Sequence, residues 1–297
     1  MIMNMAYGGG AAASGKLLST LNVGDTLEVP VVPDAQPRFG MHIVWKVADK
    51  NHTGYPANSV TLITDRIIQL MASDAKEPSN SNDSRKSYGN NRHIHSNLLQ
   101  WLNSDAAAGE WYTKQHDSDM YPSENYVESG INPYREWAGF LAIFGADFVS
   151  KLLDTTLTVL KVTVDGEEYD TFTRKVFLAS RAEVGDESPY IMSEGAPLAL
   201  FSDNASRQVY PTIECVYNTE HSSTTLSPSN PTGWWLRTPD EISPESGSKV
   251  RYISSNGALT YTDAYDGVVG VRPLCNLPGS LRVSESPNVT GNYTIMN

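Results

Sequence analysis

The sequence has few cysteines, no long apolar run and no cluster of basic residues, and each absence excludes a class of protein. Its two cysteines, Cys215 and Cys275, are too few for a disulfide framework. Each stands in an apolar context, which predicts a buried free thiol. The start lacks the basic and apolar regions of a secretory signal, and no apolar run approaches a membrane span in length. We therefore expect a protein made in the cytoplasm, without membrane insertion.

Positive charge is also scarce. The sequence contains 22 lysines and arginines against 34 acidic residues, which gives a net charge of −12 at pH 7. Proteins that bind nucleic acid need a basic surface to face the phosphate backbone, so no nucleic-acid partner is predicted. The 297 residues are enough to bury a substantial core. The composition therefore predicts a globular protein with an acidic surface.

Recognisable catalytic motifs are missing as well. His93 and His95 are two residues apart at a predicted helix start, whereas metal ligands on helices are usually three or four residues apart. Ser180 and Ser202 have no His or Asp in a recognisable nucleophile elbow. The sequence therefore predicts no enzyme activity and no metal centre at the histidines.

Two pairs of acidic residues raise the question of a Ca²⁺ cofactor. Asp117 with Asp119, and Asp263 with Asp266, could supply oxygen ligands to Ca²⁺. Their spacing is not that of an EF-hand loop, and acidic side chains mostly lie in solvent. We therefore favour solvated loop carboxylates, without a cofactor, over a Ca²⁺ site.

The most informative stretch that is present covers residues 233–273. Residues 249–255 alternate in character and lead into Asn256-Gly257, the strongest short signal for a hairpin turn. The returning strand is predicted at residues 258–262. This stretch is therefore predicted to form a small antiparallel sheet with long polar loops.

Tryptophan and arginine mark both ends of that stretch. Trp234 and Trp235 are adjacent, and indole rings bury so much apolar area that such a pair normally anchors a core. Arg237 and Arg272 each lie next to or near a proline, where a buried guanidinium can bind carbonyls or a carboxylate across the sheet. We predict a structural role for these four residues.

Periodicity along the rest of the sequence predicts an α+β fold with small antiparallel sheets, two main helices and long polar loops. Alternating or β-branched segments predict strands at residues 21–32, 41–48, 59–68, 156–164 and 175–180. Apolar residues at helical spacing predict the two main helices, at residues 94–102 and 137–153. Polar composition predicts loops at residues 72–92, 104–134 and 218–232. Ser180 and Glu183 match a capping box, which predicts a further short helix.

The composition of the two ends sets the predicted domain boundaries. Residues 1–20 begin with a Gly- and Ala-rich segment that cannot bury enough surface to hold itself in place. Residues 279–297 are rich in Ser, Asn and Thr. We predict a flexible N-terminal arm (1–20), one globular domain (21–278) and an extended C-terminal tail (279–297).

The hairpin region has the composition of a recognition surface. Tyrosine supplies rigid contact area, while Ser, Asn and Asp adapt their hydrogen bonds to a ligand. The candidate ligand-binding residues are Arg251, Tyr252, Ser254, Asn256, Tyr261, Asp263, Tyr265 and Asp266. Because side chains alternate across a strand, only about half of these can face outward. Tyr252 and Tyr261 are accordingly either contact residues or core residues.

The same stretch carries a family resemblance. Gly-Trp-Trp-Leu-Arg-Thr-Pro at 233–239, followed by an Asn-Gly turn and by Gly-Val-Arg-Pro at 270–273, resembles the end of a domain of unknown function found in phages and prophages. Shorter similar pieces lie upstream in the expected order, at residues 43–46, 98–103 and 175–184. That group resembles C-type-lectin-like folds, the architecture of formylglycine-generating enzymes and of proteins diversified by retroelements. The resemblance implies a C-type-lectin-like domain at residues 21–278.

The resemblance also carries functional implications. It implies a virion protein of the tail or tail-tip type, assembled in the host cytoplasm, that contacts other virion proteins and forms homo-oligomers such as trimers. It places the ligand, a host-surface glycan or protein, on the sheet between the two anchor motifs. The alternative is a capsid or tail decoration or scaffold subunit that is not an enzyme and binds only its own particle. Cys215 and Cys275 match no catalytic motif of formylglycine-generating enzymes, so that activity is not implied.

Overall fold

The computed structural model describes residues 15–186, 193–220, 226–240 and 247–296. These residues form a mixed architecture of several small sheets and few helices, which agrees with the α+β prediction. The strands are β1 (Lys16–Leu17), β2 (Thr26–Pro30), β3 (His42–Lys50), β4 (Ser59–Thr64), β5 (Gln69–Leu70), β6 (Thr155–Leu160), β7 (Tyr169–Arg174), β8 (Val176–Phe177), β9 (Trp234–Pro239), β10 (Lys249–Ile253), β11 (Leu259–Asp263), β12 (Gly270–Val271), β13 (Leu274–Pro278), β14 (Arg282–Val283) and β15 (Tyr293–Thr294).

The α-helices in the described part of the chain are all short. They are α1 (Gln36–Phe39), α2 (Asp83–Tyr88), α3 (Asn97–Leu102), α4 (Ala146–Lys151), α5 (Asn204–Arg207) and α6 (Ile213–Asn218). The helix predicted at residues 94–102 is reduced to α3, which follows a 3₁₀ turn at His93–His95. The prediction of two main helices is therefore wrong.

The second predicted helix, at residues 137–153, is interrupted in its middle. A 3₁₀ turn at Phe140–Ile143 is followed by Phe144, whose backbone is extended, and α4 begins only after Gly145. The ring of Phe144 nevertheless packs against Phe140 and Phe148, with centroids 5.2 and 5.0 Å away. Packing of the rings into the core, rather than a continuous helix, accounts for the apolar spacing.

The larger sheet has the strand order β15-β2-β3-β4-β13-β8. Strands β2, β3 and β4 form an antiparallel meander, in which Trp45 lies opposite both Leu27 and Thr64. Strand β13 returns from the far end of the sequence to pair with β4, where Cys275 lies opposite Leu62. The strands predicted at residues 41–48 and 59–68 are confirmed as β3 and the shorter β4.

The second sheet, of order β11-β10-β9-β12-β5, contains the predicted hairpin. Strand β9 pairs antiparallel with β10 and parallel with β12. Because successive side chains of a strand point to opposite faces, Trp234 and Trp235 enter two different hydrophobic clusters. The sheet therefore lies between two cores, with one tryptophan anchoring each.

The segments predicted as loose extensions are paired with the fold where they are described. Strand β1 pairs antiparallel with β14, and β15 joins the edge of the larger sheet beside β2. Leu18 and Val283 are fully buried. The predicted boundaries thus do not separate an arm and a tail from the globular part, because both segments contribute core residues. Residues 1–14 of the predicted arm and residue 297 lie outside the described residues.

The stretch at residues 104–134 is irregular, as predicted, but its aromatic residues are part of the core. Trp111 stacks on Tyr134 with ring centroids 5.5 Å apart. Tyr134 also packs edge-on against Trp101 of α3, and its hydroxyl donates to the carbonyl of Ala72. This segment is therefore held by burial of its rings rather than by regular secondary structure.

Both cysteines are buried free thiols, as predicted. Burial raises the pKa of Cys215 to about 12, and burial likewise raises the pKa of Cys275. Because the thiolate is the reactive form, neither side chain is suited to nucleophilic chemistry near neutral pH.

Candidate ligand-binding site

The β10–β11 hairpin divides the predicted ligand-binding residues between two faces. In its antiparallel register, Tyr252 lies opposite Thr260 and Arg251 lies opposite Tyr261. Residues directly opposite each other share a face, and neighbouring residues of one strand do not. Tyr252 therefore faces one side of the hairpin, while Arg251 and Tyr261 face the other.

The turn that joins the two strands depends on its sequence. Gly257 has a φ of +82°, a conformation that favours glycine. The side-chain oxygen of Asn256 accepts a hydrogen bond from the amide of Ala258, and the Ser254 hydroxyl lies 2.7 Å from the same oxygen. Side chain and backbone thus act together to fix the register of the hairpin.

A cavity of about 480 Å³ opens on the Tyr252 face. It is lined by Leu226, Asn230, Pro231, Thr232, Gly233, Tyr252, Ser254, Ser255, Asp266, Val268 and Val269. Ligand pockets typically have volumes of about 300–1,000 Å³, so this cavity is large enough for a small molecule or one unit of an oligomer. Tyr252, Ser254 and Asp266 are the predicted ligand-binding residues that it brings together.

The phenol of Tyr252 forms one wall of the cavity. Its ring packs edge-on against Trp235, with centroids 6.1 Å apart, and the side chain is half-buried. A side chain at Gly233 would come within 2.9 Å of the Tyr252 ring, so glycine is needed there. Burial, with a contribution from Asp266, raises the pKa of Tyr252, and its hydroxyl stays protonated at neutral pH. The site thus offers a fixed aromatic surface with a neutral hydroxyl.

Asp266 supplies the charged group of the cavity. One carboxylate oxygen accepts a hydrogen bond from the amide of Val268 at 2.9 Å, and the other accepts from the Thr262 hydroxyl at 3.1 Å. These contacts orient the carboxylate at the end of the hairpin. Among the described residues that line the cavity, Asp266 is the one with a carboxylate side chain.

The residues on the opposite face have other partners. Arg251 is buried and pairs with Asp240 at 2.6 Å, so the prediction that it contacts a ligand at the surface does not fit its position. Tyr261 is 40% exposed, and the Lys249 ammonium lies 4.6 Å from its ring centroid. Asp263 accepts a hydrogen bond from Ser248. None of these side chains lines the cavity.

The two remaining predicted ligand residues lie outside the cavity as well. Tyr265 packs edge-on against Tyr88 of α2, with ring centroids 5.6 Å apart. Asn256 is exposed at the turn. The cavity instead includes Asn230 and Thr232, although the composition of residues 218–232 predicts only a polar connecting loop there. Their position directly before Gly233 and the tryptophan pair is the feature of the sequence from which they could have been predicted as site residues.

The two tryptophans are buried and hydrogen-bonded. The indole N–H of Trp234 donates to the carbonyl of Arg207 at 3.0 Å, and that of Trp235 donates to Met71 at 2.8 Å. The guanidinium of Arg272 lies 5.1 Å from the Trp234 ring centroid and donates to the carbonyl of Thr64. Burial lowers the pKa of Arg272 to about 10. These contacts hold the sheet that forms the back of the cavity.

Arg237 is completely buried in a network of its own. It forms two hydrogen bonds with the carboxylate of Glu183 and donates to the carbonyls of Leu178 and Glu194. Burial alone would lower the pKa of Arg237, but the charge of Glu183 raises it above its ordinary value. Glu183 also exchanges hydrogen bonds with Ser180 in the predicted capping box, although a turn and not a helix follows.

The two members of the Asp117/Asp119 pair considered for Ca²⁺ lie in different environments. Asp117 is exposed, whereas Asp119 is buried beside Glu77 and His116. This last trio is the one cluster of potential metal ligands found in the described residues. The sequence does not predict this trio, because Glu77 and His116 lie 39 residues apart in segments without a metal-binding pattern.

Comparison with protein families gives one match. The family model named Domain of unknown function (DUF6273) matches residues 58–279, which is most of the sequence. The protein belongs to the DUF6273 family. No curated protein and no solved structure matches it. In the described residues of this DUF6273 protein, every helix is too short or too polar to cross a membrane. The matched segment contains the hairpin, the cavity and both tryptophans.

Proposed function

We propose that this DUF6273 protein is a recognition subunit of a phage particle, without enzyme activity, that holds one sugar unit of a host-surface glycan beside the β10–β11 hairpin. The cavity lined by Tyr252, Ser254 and Asp266 is the observation that carries this proposal. The assignment to a phage tail and to a C-type-lectin-like fold rests on the resemblance of the tryptophan and Gly-Val-Arg-Pro motifs.

The chemistry of the cavity suits a sugar ring. A pyranose has an apolar face of C–H groups and an edge of hydroxyls. The Tyr252 ring, with Val268 and Val269, offers apolar surface to the face of C–H groups. Ser254, Asn230 and Asp266 offer hydrogen-bonding groups to the sugar hydroxyls. An anchor of this kind combines rigid aromatic contact with adaptable polar contacts.

The charge of the cavity restricts the ligand further. The described lining includes the Asp266 carboxylate and neither lysine nor arginine. A sugar that carries a carboxylate or phosphate would meet the like charge of Asp266 there. We therefore expect neutral or amino sugars to bind, and acidic sugars to be excluded.

The test is a glycan array and a cell-binding assay with purified wild-type protein and two single variants. Tyr252→Ala removes the aromatic wall, and we expect it to weaken binding by roughly tenfold or more, as loss of a buried aromatic anchor does. Tyr261→Ala is the matched control, because Tyr261 lies in the same hairpin on the opposite face. Binding that is lost in Tyr261→Ala but kept in Tyr252→Ala would refute the assignment.

One observation favours the alternative of a decoration subunit that binds only its own particle. On α6, Ile213 and Tyr217 are 51% and 79% exposed, and large apolar side chains at a surface are typical of protein contacts. Sedimentation experiments compare wild-type protein with the double variant Ile213→Ser/Tyr217→Ser. If wild-type protein binds no glycan but self-associates, and the double variant does not self-associate, this alternative replaces receptor binding. The same measurement reports whether the oligomer is a trimer.

A further inference from the structure

Away from the hairpin, three side chains that can bind metal converge on one point. One ligand atom from each of Glu77, His116 and Asp119 lies within 4.8 Å of the others. Glu77 and Asp119 are 0% and 2% exposed, while the His116 side chain is 22% exposed. We propose that these three residues bind one divalent transition-metal ion of the Zn²⁺ class.

The contact between His116 and Glu77 has the geometry of neighbouring metal ligands. Nε2 of His116 is 2.9 Å from Oε1 of Glu77, yet this buried nitrogen makes no hydrogen bond of acceptable direction. Two ligands bound to one Zn²⁺ at about 2.0–2.1 Å are roughly 3 Å apart, and their lone pairs point at the ion rather than at each other. A metal ion would therefore satisfy a buried nitrogen that has no well-directed partner.

Outer hydrogen bonds already orient both carboxylates. Asn90 donates from its amide to Oε1 of Glu77 at 3.1 Å, and Asn97 donates to Oδ1 of Asp119 at 3.3 Å. The backbone amide of Gln115 donates to Oδ2 of Asp119 at 2.7 Å. Residues that hold metal ligands in place usually contribute such bonds, because they reduce the freedom that binding would otherwise remove.

The mixture of ligands indicates which ion is bound. An imidazole nitrogen with two carboxylates suits Zn²⁺, and then Mn²⁺, in proteins. Ca²⁺ prefers six to eight oxygen ligands and rarely uses histidine. Glu77 follows β5, whereas His116 and Asp119 belong to the irregular stretch at residues 104–134. The ion would therefore connect the irregular stretch at residues 104–134 to the segment that follows β5, a strand of the sheet that contains the hairpin.

The test uses the full-length protein after dialysis against a chelator. Titration calorimetry with ZnCl₂, MnCl₂ and CaCl₂ in separate runs should give one Zn²⁺ per chain, weaker Mn²⁺ and weakest Ca²⁺. His116→Gln and Glu77→Gln should each weaken Zn²⁺ binding by more than roughly tenfold, a loss seen even when outer partners of ligands are changed. Asp117→Asn is the matched control. Asp117 lies between His116 and Asp119 in the sequence but is exposed, so this variant should bind Zn²⁺ like wild type.

A second measurement keeps the proposal testable if a variant fails to fold. Co²⁺ added to wild-type protein should produce the visible absorption of a nitrogen- and oxygen-ligated ion, and Zn²⁺ should displace it. Absence of one-to-one Zn²⁺ binding, preference for Ca²⁺, or unchanged affinity in folded His116→Gln would each overturn the proposal. None of these readouts involves glycan binding, so their outcome is separate from that of the proposed function.

Discussion

Arg237 and Glu183 form a bidentate ion pair from which solvent is fully excluded. Nη1 of Arg237 lies 2.6 Å from Oε2 of Glu183, Nη2 lies 2.7 Å from Oε1, and both side chains have no exposed surface. The hydroxyl of Tyr55 donates to the same carboxylate at 2.5 Å. The pair joins the strand that carries both tryptophans to the turn after β8, so it connects two parts of the fold that are distant in sequence.

Removal of one partner of this pair should destabilise the protein strongly. Glu183→Gln removes the carboxylate that is bound to the buried Arg237 cation, and we expect a loss of about 3–5 kcal/mol in the free energy of unfolding. Asp65→Asn is the matched control, because Asp65 pairs with Lys46 at 2.5 Å while both side chains are 28% exposed. That pair should be worth less than about 1 kcal/mol. Urea denaturation measures both, and equal losses would contradict the assignment.

Glu194 should make the protein less stable as the pH rises. Burial raises the pKa of Glu194 from 4.5 to about 7, against the opposing effect of Arg237. Between these two values the folded state keeps a proton that the unfolded state releases, so stability falls as pH increases from 4.5 to 7. The penalty above pH 7 is on the order of 3 kcal/mol.

Glu194→Gln tests this directly. The amide reproduces the protonated acid, since it can accept from the amide of Leu160 and donate to the Thr238 hydroxyl. We expect the variant to be more stable than wild type at pH 8 and close to wild type at pH 4.5, as measured by thermal unfolding. A stability difference that does not change with pH would rule out titration of Glu194 in this range.

His93 should make the protein sensitive to acid. Burial, followed by the charges of Arg237 and Arg174, lowers the pKa of His93 from 6.5 to about 3. The unfolded state takes up a proton below pH 6.5 while the folded state does not, so stability is lost as pH falls from 6.5 to 3. The free energy of unfolding should fall by about 5 kcal/mol over this whole range. His93→Gln should shift acid unfolding to lower pH in circular dichroism, whereas substitution of the exposed His42 by Gln should not.

Gly257 should not tolerate a side chain. Its φ is +82°, and a Cβ atom there would overlap the carbonyl of Asn204. We expect Gly257→Ala to cost about 2–3 kcal/mol, the sum of backbone strain and displacement of that carbonyl. Gly166 is the control, because its φ is +85° but nothing lies within 4 Å of its Cβ position. Gly166→Ala should cost about 1 kcal/mol, and chemical denaturation compares the two.

Local patterns were sufficient to predict much of the β structure. Alternation and the Asn256-Gly257 turn predict the hairpin, and β10 and β11 form it. The tryptophan pair predicts a core anchor, and each indole is completely buried. These features could be predicted because strand period and turn conformation depend on residues close together in sequence.

Other predictions failed where distant contacts outweigh local preference. The apolar spacing at residues 137–153 is helical, but an extended residue interrupts it before Gly145 so that three phenylalanine rings can pack together. The composition of residues 104–134 is that of a surface loop, yet Trp111 and Tyr134 enter the core. Of the candidate site, composition identified Tyr252 and Asp266 but could not separate them from Tyr261 on the other face.

By itself, the sequence determined the α+β class, the hairpin with its turn and the buried state of the two thiols, because neighbouring residues set strand alternation, turn geometry and apolar context. The tertiary structure decided which hairpin face borders a cavity, that Glu183 is the partner of Arg237, and that Glu77, His116 and Asp119 meet. Those relationships join residues from separate segments. Their positions depend on how the two sheets pack around shared cores. That packing balances burial and charge over the whole fold, so it cannot be predicted from neighbouring residues.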